Sequence, residues 1–318
     1  MTRRDDTLLF DAPPTVAAWA AAGGKKESEG PLASAFDFVT QDAAFGEQGC
    51  ENWEQAESLL QRKAVELCLR KADIPRSKVD LAFAGDLQAQ CTASNYTMRE
   101  LGIPFAGVYG ACSTMAETLG LAAVFAAGGM AERVLALTSS HFCAAERQFR
   151  TPLEYGAKRT PTAQWTATAS GCCILSRRGD GPYITHVTCG KIVDKGITDT
   201  NNMGAAMAPA AYDTLSTHFS DTGRKPSYYD LIVTGDLGKI GHTVVTRLFQ
   251  NDGIELEGLY TDCGLLIYDL EGQDVHAGGS GCGCSASVLC GHLLRRMREG
   301  KLKRLLFCAT GALLSPVS

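Results

Sequence analysis

Tyr109-Gly110-Ala111-Cys112-Ser113-Thr114 stands between a strand-like apolar run at 105–108 and a stretch of small and apolar residues at 115–127 that has the composition of a buried helix. Strand, glycine turn, cysteine and helix in that order put a thiol on the first helical turn. There the positive end of the helix dipole and unpaired backbone N–H groups lower a thiol pKa and attract anions. The arrangement suits a nucleophile or an acid-binding pocket, and the choice turns on whether a base and a second donor stand elsewhere in the chain.

Outward from this turn, an apolar run at 79–84 precedes it and a strand at 133–139 follows it, completing a strand, helix, strand unit. A second unit resembles the first. Gly283-Cys284-Ser285-Ala286-Ser287 opens a helix that runs through Met297, with a strand at 304–311 after it. Cys112 lies 21 residues before Arg133 and Cys284 lies 20 before Arg304, which points to an internal duplication. The expected architecture is therefore α/β, built from two βαβ-rich halves, residues 1–190 and 191–318.

Other segments fill in this plan. Apolar positions at helical spacing predict a helix over 53–71, closed by Ile74-Pro75. Residues 165–176 and 183–189 read as antiparallel strands of the first half, and 191–225 as a connector with a helix near 210–219. Residues 1–50 read as irregular apart from a short opening strand, with Pro13-Pro14 and a glycine-rich loop at 23–31 as breakers.

With 318 residues, 45% of them hydrophobic and 20% charged, the chain has enough apolar material for a large core without staples. A net charge of −5 argues against nucleic-acid binding. The one basic run, Arg295-Arg296-Met297-Arg298 through Lys301-Leu302-Lys303-Arg304, reads as a solvated helix face and end. The thirteen cysteines form no C-x-x-C pair, so neither a metal site nor a cofactor is expected, and a reducing compartment suits an odd number of largely core-type thiols. The N-terminus lacks the order of a signal peptide, and the apolar run at 16–22 is too short to cross a bilayer. Any membrane association is expected to run through partners.

Four stretches in order carry a family resemblance: residues 108–115 around Cys112, residues 159–166 (Arg159-Thr160-Pro161-Thr162-Ala163-Gln164-Trp165-Thr166), residues 229–238 ending Gly235-Asp236-Leu237-Gly238, and residues 278–285 around Gly281-Cys282-Gly283. The chain resembles the stage V sporulation protein AD family, thiolase-like proteins of spore-forming bacteria. Family members continue past residue 316, so the second half reads as shortened. The resemblance implies the thiolase-like five-layer αβαβα fold from two duplicated halves and a homodimer formed through a strand beside the cysteine loop. It also implies binding of dipicolinic acid (pyridine-2,6-dicarboxylate), alone or as its calcium chelate, and its uptake into the forespore. The other stage V sporulation A membrane proteins would be partners, with the protein peripheral at the forespore or spore inner membrane.

Condensing enzymes of this superfamily pair the thiolate with a histidine and a second histidine or asparagine that stabilise a developing oxyanion. By the resemblance, the thiol is kept as Cys112, the histidine position falls at Gly235-Asp236 and the asparagine turn at Gly281-Cys282-Gly283. The expected ligand-binding residues are thus Cys112, Ser113, Thr114, Asp236, Gly281 and Cys282, with His141, Arg150 and Trp165 as further candidates. Arg147, Lys158 and Arg159 are additional sources of positive charge, and His242 and His276 are substitutes for the missing histidine. Asp236 has a second reading, as the cap of a helix starting at Leu237-Gly238. The rival functions are an acyl-CoA-dependent acyltransferase or condensing enzyme with Cys112 as nucleophile, and a scaffold with a vestigial pocket.

Overall fold

A computed structural model describes residues 1–42, 44–149, 158–256 and 258–312. The first half is organised on a six-stranded sheet. Its order is the short strand Phe38–Val39, then β1 (Thr15–Gly23), β5 (Ala169–Ser176), β4 (Arg133–Ser140), β2 (Leu81–Gly85) and β3 (Phe105–Gly107). β5 runs antiparallel to both β1 and β4, whereas β4, β2 and β3 are mutually parallel, as strand, helix, strand crossovers require. Helices α1 (Trp53–Ala72) and α2 (Thr92–Leu101) cover one face. The other face receives α3 (Thr114–Ala127).

Strict alternation divides this sheet between two cores. Ala82, Ala84, Leu135, Leu137, Cys172 and Ile174 face Leu60, Ala64 and Met98 on one side, while Phe83, Val134, Ala136, Cys173 and Leu175 face Met115, Leu119 and Ala122 on the other. A sheet buried on both faces shows no polar alternation in sequence. For that reason β1 is a finding that the sequence reading passed over: Val16-Ala17-Ala18-Trp19-Ala20-Ala21-Ala22 is a central strand, even though alanine is a poor strand former.

In the second half, α5 (Met203–Thr222) leads to β6 (Leu231–Thr234), α6 (Gly238–Asn251) and β7 (Tyr260–Asp262), and then α7 (Cys282–Val288) to β8 (Leu305–Cys308). The three strands form a parallel sheet in the order β7, β6, β8. Ile232 packs with Leu215, Val245 and Phe249 of α5 and α6, and Val233 packs with α7 and the first-half core. The layers therefore run α1 and α2, six-stranded sheet, α3 and α7, three-stranded sheet, α5 and α6, which is the five-layer α/β arrangement expected.

Several expectations need correction. α5 begins at Met203, seven residues before the predicted start, with Asn202 as its cap, and Pro209 is accommodated inside the helix. Residues 165–176 are not one strand, because Trp165–Thr166 pairs in parallel with Gly279–Ser280 and only Ala169–Ser176 joins the main sheet. His186–Thr188 is an antiparallel strand of the first half as expected, but its partner is the N-terminal hairpin strand Thr7–Leu9, outside the main sheet. α3 is not buried all round: Leu121 is 39% exposed, so the helix lies at the flank of the middle layer and one stripe reaches the surface.

Candidate functional site

The ends of β2 and β3 come together because Gly85 has no side chain; a Cβ there would sit 2.1 Å from the Val108 carbonyl oxygen. The chain then turns through Gly110 and Ala111. Ala111 has φ +52°, a left-handed conformation that costs a non-glycine residue about 1 kcal/mol and persists only where surrounding structure imposes it. Thr114 imposes part of it: its hydroxyl donates to the Ala111 carbonyl at 2.7 Å and accepts the Gly110 N–H at 3.2 Å. The Ser113 hydroxyl bonds to Gly110 O at 2.7 Å and to Glu117 at 2.5 Å. Both hydroxyls thus close the turn, and Cys112 is carried into the interior at 2% exposure.

From the second half, β6 ends at Thr234 and Gly235-Asp236 follows. Asp236 does not cap α6. Asp262, at the end of β7, does so: its carboxylate accepts the N–H groups of Leu237 (2.8 Å), Gly238 (2.9 Å) and Gly264 (2.9 Å) and the Thr234 hydroxyl (2.7 Å). The side chain of Asp236 is left for the interior, fully buried, where Oδ2 accepts the Gly281 N–H at 2.6 Å and lies 3.5 Å from Ser280 Oγ. Its Oδ1 accepts no conventional hydrogen bond, and the Cys112 thiol stands beside this carboxyl. Gly281 itself (φ +93°) is forced to be glycine, since a Cβ would meet Ser140 Oγ at 2.9 Å. The next residue, Cys282, is buried with Sγ 3.0 Å from the Ser139 carbonyl.

Gln164 holds this arrangement from above, a role the sequence reading missed although the residue lies in a stretch singled out for its resemblance. Its amide donates to Asp236 O and to Gly279 O, each at 2.7 Å, tying the β6 turn to the strand that leads into Gly281.

The structure thus brings Cys112, Asp236, Gly281 and Cys282 together. Helix-dipole reasoning predicts a lowered thiol pKa, but the structure has the opposite sign. Burial pushes Cys112 well above its ordinary value, the Asp236 carboxylate adds to this and Cys282 contributes further; only the Gly281 N–H opposes. Burial likewise raises Asp236, to about 6, against the hydrogen bonds it receives.

Cys112 opens on a small cavity of about 40 Å³, room for about three waters. Leu87, Ala111, Ala145 and Phe149 form its apolar wall; Thr166, Thr200, Ser280 and Glu146 supply polar groups, and Met203 and Ala312 complete it. Glu146, on α4 (Phe142–Phe149), accepts the Thr166 hydroxyl at 2.9 Å. Among the described residues the lining contains no histidine, asparagine, lysine or arginine.

The remaining candidates lie elsewhere. His141 is buried near Phe45, ring centroids 6.1 Å apart. Trp165 stacks on Phe142 at 3.8 Å and receives Lys26 and Arg159 over its ring. Arg147 pairs with Glu54 and Arg159 with Asp274, while Lys158 is exposed. His242 stacks on Tyr260 and His276 pairs with Asp274 at 2.9 Å. Arg150 lies outside the described residues.

Comparison with known proteins gives the family and the fold. A family model described as stage V sporulation protein AD matches residues 4–318. The chain is 46% identical over 312 residues to stage V sporulation protein AD of Bacillus subtilis strain 168, covering 98% of this chain and 90% of that protein. Among solved structures it is similar to 3-oxoacyl-[acyl-carrier-protein] synthase III from Aquifex aeolicus, with TM-score 0.58 and 14% identity over 94% of this chain and 96% of that one. It is similar also to cerulenin-bound OleA from Xanthomonas campestris, with TM-score 0.65 and 13% identity over 98% and 96%. At such identities these two structures speak to the fold alone, and the fold is thiolase-like.

Proposed function

The chain belongs to the stage V sporulation protein AD family, and from that premise we propose that this sporulation protein is a binding module for dipicolinic acid, held in the cavity beneath Cys112. In this reading it supports uptake of the acid into the forespore and works at the forespore membrane with the stage V sporulation A membrane proteins. No helix among the described residues is long and apolar enough to cross a membrane, so attachment would run through those partners.

The observation that carries the non-catalytic reading is the neighbour of the thiol. Where a condensing enzyme needs a neutral or cationic donor, Cys112 faces the Asp236 carboxyl, and that carboxyl already consumes the Gly281 N–H. A nucleophile needs its thiolate, and an anion alongside disfavours it.

Ligand entry follows from the lining. The pyridine ring would enter against the apolar wall formed by Leu87, Ala145, Phe149 and Met203. Glu146 is the only carboxylate lining this cavity among the described residues, which favours the neutral calcium chelate over the free dianion as cargo. For the homodimer, support comes from β3, the edge of the six-stranded sheet, where Ala106 and Gly107 are exposed beside the cysteine loop.

Acyl transfer through Cys112 is the alternative, and the imposed left-handed Ala111 is the observation in its favour, since such strain gathers at reactive loops. Intact-mass spectrometry after incubation with short acyl-coenzyme A donors separates the two. The binding reading expects no adduct on Cys112; a stable thioester there establishes the enzyme.

A further inference from the structure

A second concavity, sharing no residue with the Cys112 cavity, lies at the far end of the middle helical layer. It encloses about 640 Å³ and is bounded by the start of β1, the loop at 180–185, the connection before β6, and the segment from Met297 to β8. The helical run from Cys282, beside Cys112, to Arg298, on the groove, spans 17 residues, about 25 Å at 1.5 Å per residue, so the groove is well removed from the Cys112 cavity.

Its chemistry is one-sided. Among the described residues it is lined by Arg224, Arg298, Lys303 and Arg304 against a single carboxylate, Asp180. The guanidiniums are held in fixed planes by aromatic rings. Arg224 and Arg304 both lie over Tyr228, at 4.4 and 4.6 Å, and Arg298 lies over Trp19 at 4.8 Å. Asp230 relieves this only slightly: it stands 3.8 Å from Arg304 and its Oδ2 is already taken by the backbone N–H groups of Lys303 and Arg304. A helix C-terminus accounts for Arg298. Arg224 enters from the other wall, just past the C-terminus of α5, and donates to the Tyr229 hydroxyl at 3.3 Å, so the cations converge from separate helix ends.

Four cations in a concave site, three of them stacked on aromatic rings that set the plane of the guanidinium, match a polyvalent oxyanion. We propose that this groove is a second binding site, for a phosphate-bearing ligand, either a soluble phosphate compound or the headgroup of an anionic phospholipid. The basic run that sequence alone assigns to a solvated helix end is one wall of it.

The test titrates the intact chain with inorganic pyrophosphate by calorimetry at low salt and, in parallel, measures cosedimentation with phosphatidylglycerol vesicles. Saturable pyrophosphate binding identifies a soluble ligand, and vesicle binding alone identifies the headgroup. In either case the charge-keeping double variant Arg298→Lys, Arg304→Lys is expected to bind at least tenfold more weakly, because lysine lacks the fork, while Cys112→Leu binds as wild type does. Binding in neither arm, or unchanged binding in the double-lysine variant, overturns the proposal.

Discussion

The Asp236 carboxylate accepts the backbone N–H of Gly281 at 2.6 Å, so two second-half polar groups that act on the Cys112 thiol satisfy each other rather than a substrate. A donor that an acyl-transfer site would aim at a developing oxyanion is thereby committed to a fixed anion, and the fixed anion raises the pKa of the thiol.

Thiol reactivity follows directly. Cys112 should alkylate slowly with iodoacetamide at pH 8, and Asp236→Asn, which removes the charge but keeps an oxygen for the Gly281 N–H, should speed it on the order of tenfold, the effect of about one pKa unit. Peptide-resolved mass spectrometry reads Cys112 apart from the other cysteines. An unchanged rate would mean that the carboxyl does not control the thiol.

The same carboxyl gives the protein a pH dependence. Asp236 is raised from 3.8 to about 6, so the folded state holds its proton more tightly than the unfolded chain does. Its contribution is fully present below about pH 4 and is lost as pH rises through about 6, an effect of up to about 3 kcal/mol. Urea denaturation at pH 4.5 and pH 8 should therefore show wild type losing stability relative to Asp236→Asn as pH increases. Parallel curves for the two proteins would contradict this.

Asp262 carries more of the fold than Asp236. Asp262→Ala leaves three buried N–H groups and the Thr234 hydroxyl without their acceptor and is expected to cost about 3 kcal/mol. Asp236→Ala, which leaves one buried N–H, that of Gly281, and the long Ser280 hydroxyl contact without their acceptor, should cost less than half as much. Thermal unfolding of the two variants checks the order, and equal losses would show that α6 does not depend on this cap.

The difference between these two aspartates marks how far the sequence can be read. The strands and helices around Cys112 were legible because their apolar runs are long and their glycine breaks sharp, and the duplication was visible in the matched spacing. Asp236 sits just ahead of a helix and looks like its cap; the actual cap lies 25 residues beyond Leu237 on a neighbouring parallel strand, a relation that only the three-stranded sheet creates. Glu146 was likewise passed over, because its segment reads as a loop and only the docking of that helix on Thr166 turns it into the cavity. β1 escaped notice because burial on both faces erases the period-two signal.

The proposed dimer makes a separate prediction. If β3 pairs with its counterpart across a two-fold axis, Ala106→Glu sets two carboxylates face to face on exposed edges and should shift the protein from dimer to monomer in light scattering. An identical mass for both proteins would remove β3 from the interface.

The most direct measurement is calorimetric titration of dipicolinic acid, with and without calcium, into wild-type protein and into Cys112→Leu. Leucine would fill the small cavity while sparing the surface. The account predicts saturable binding to wild type, stronger with calcium, and at least a tenfold loss in the variant, about 1.4 kcal/mol or more. Absence of binding to wild type, or equal affinity in Cys112→Leu, would contradict it.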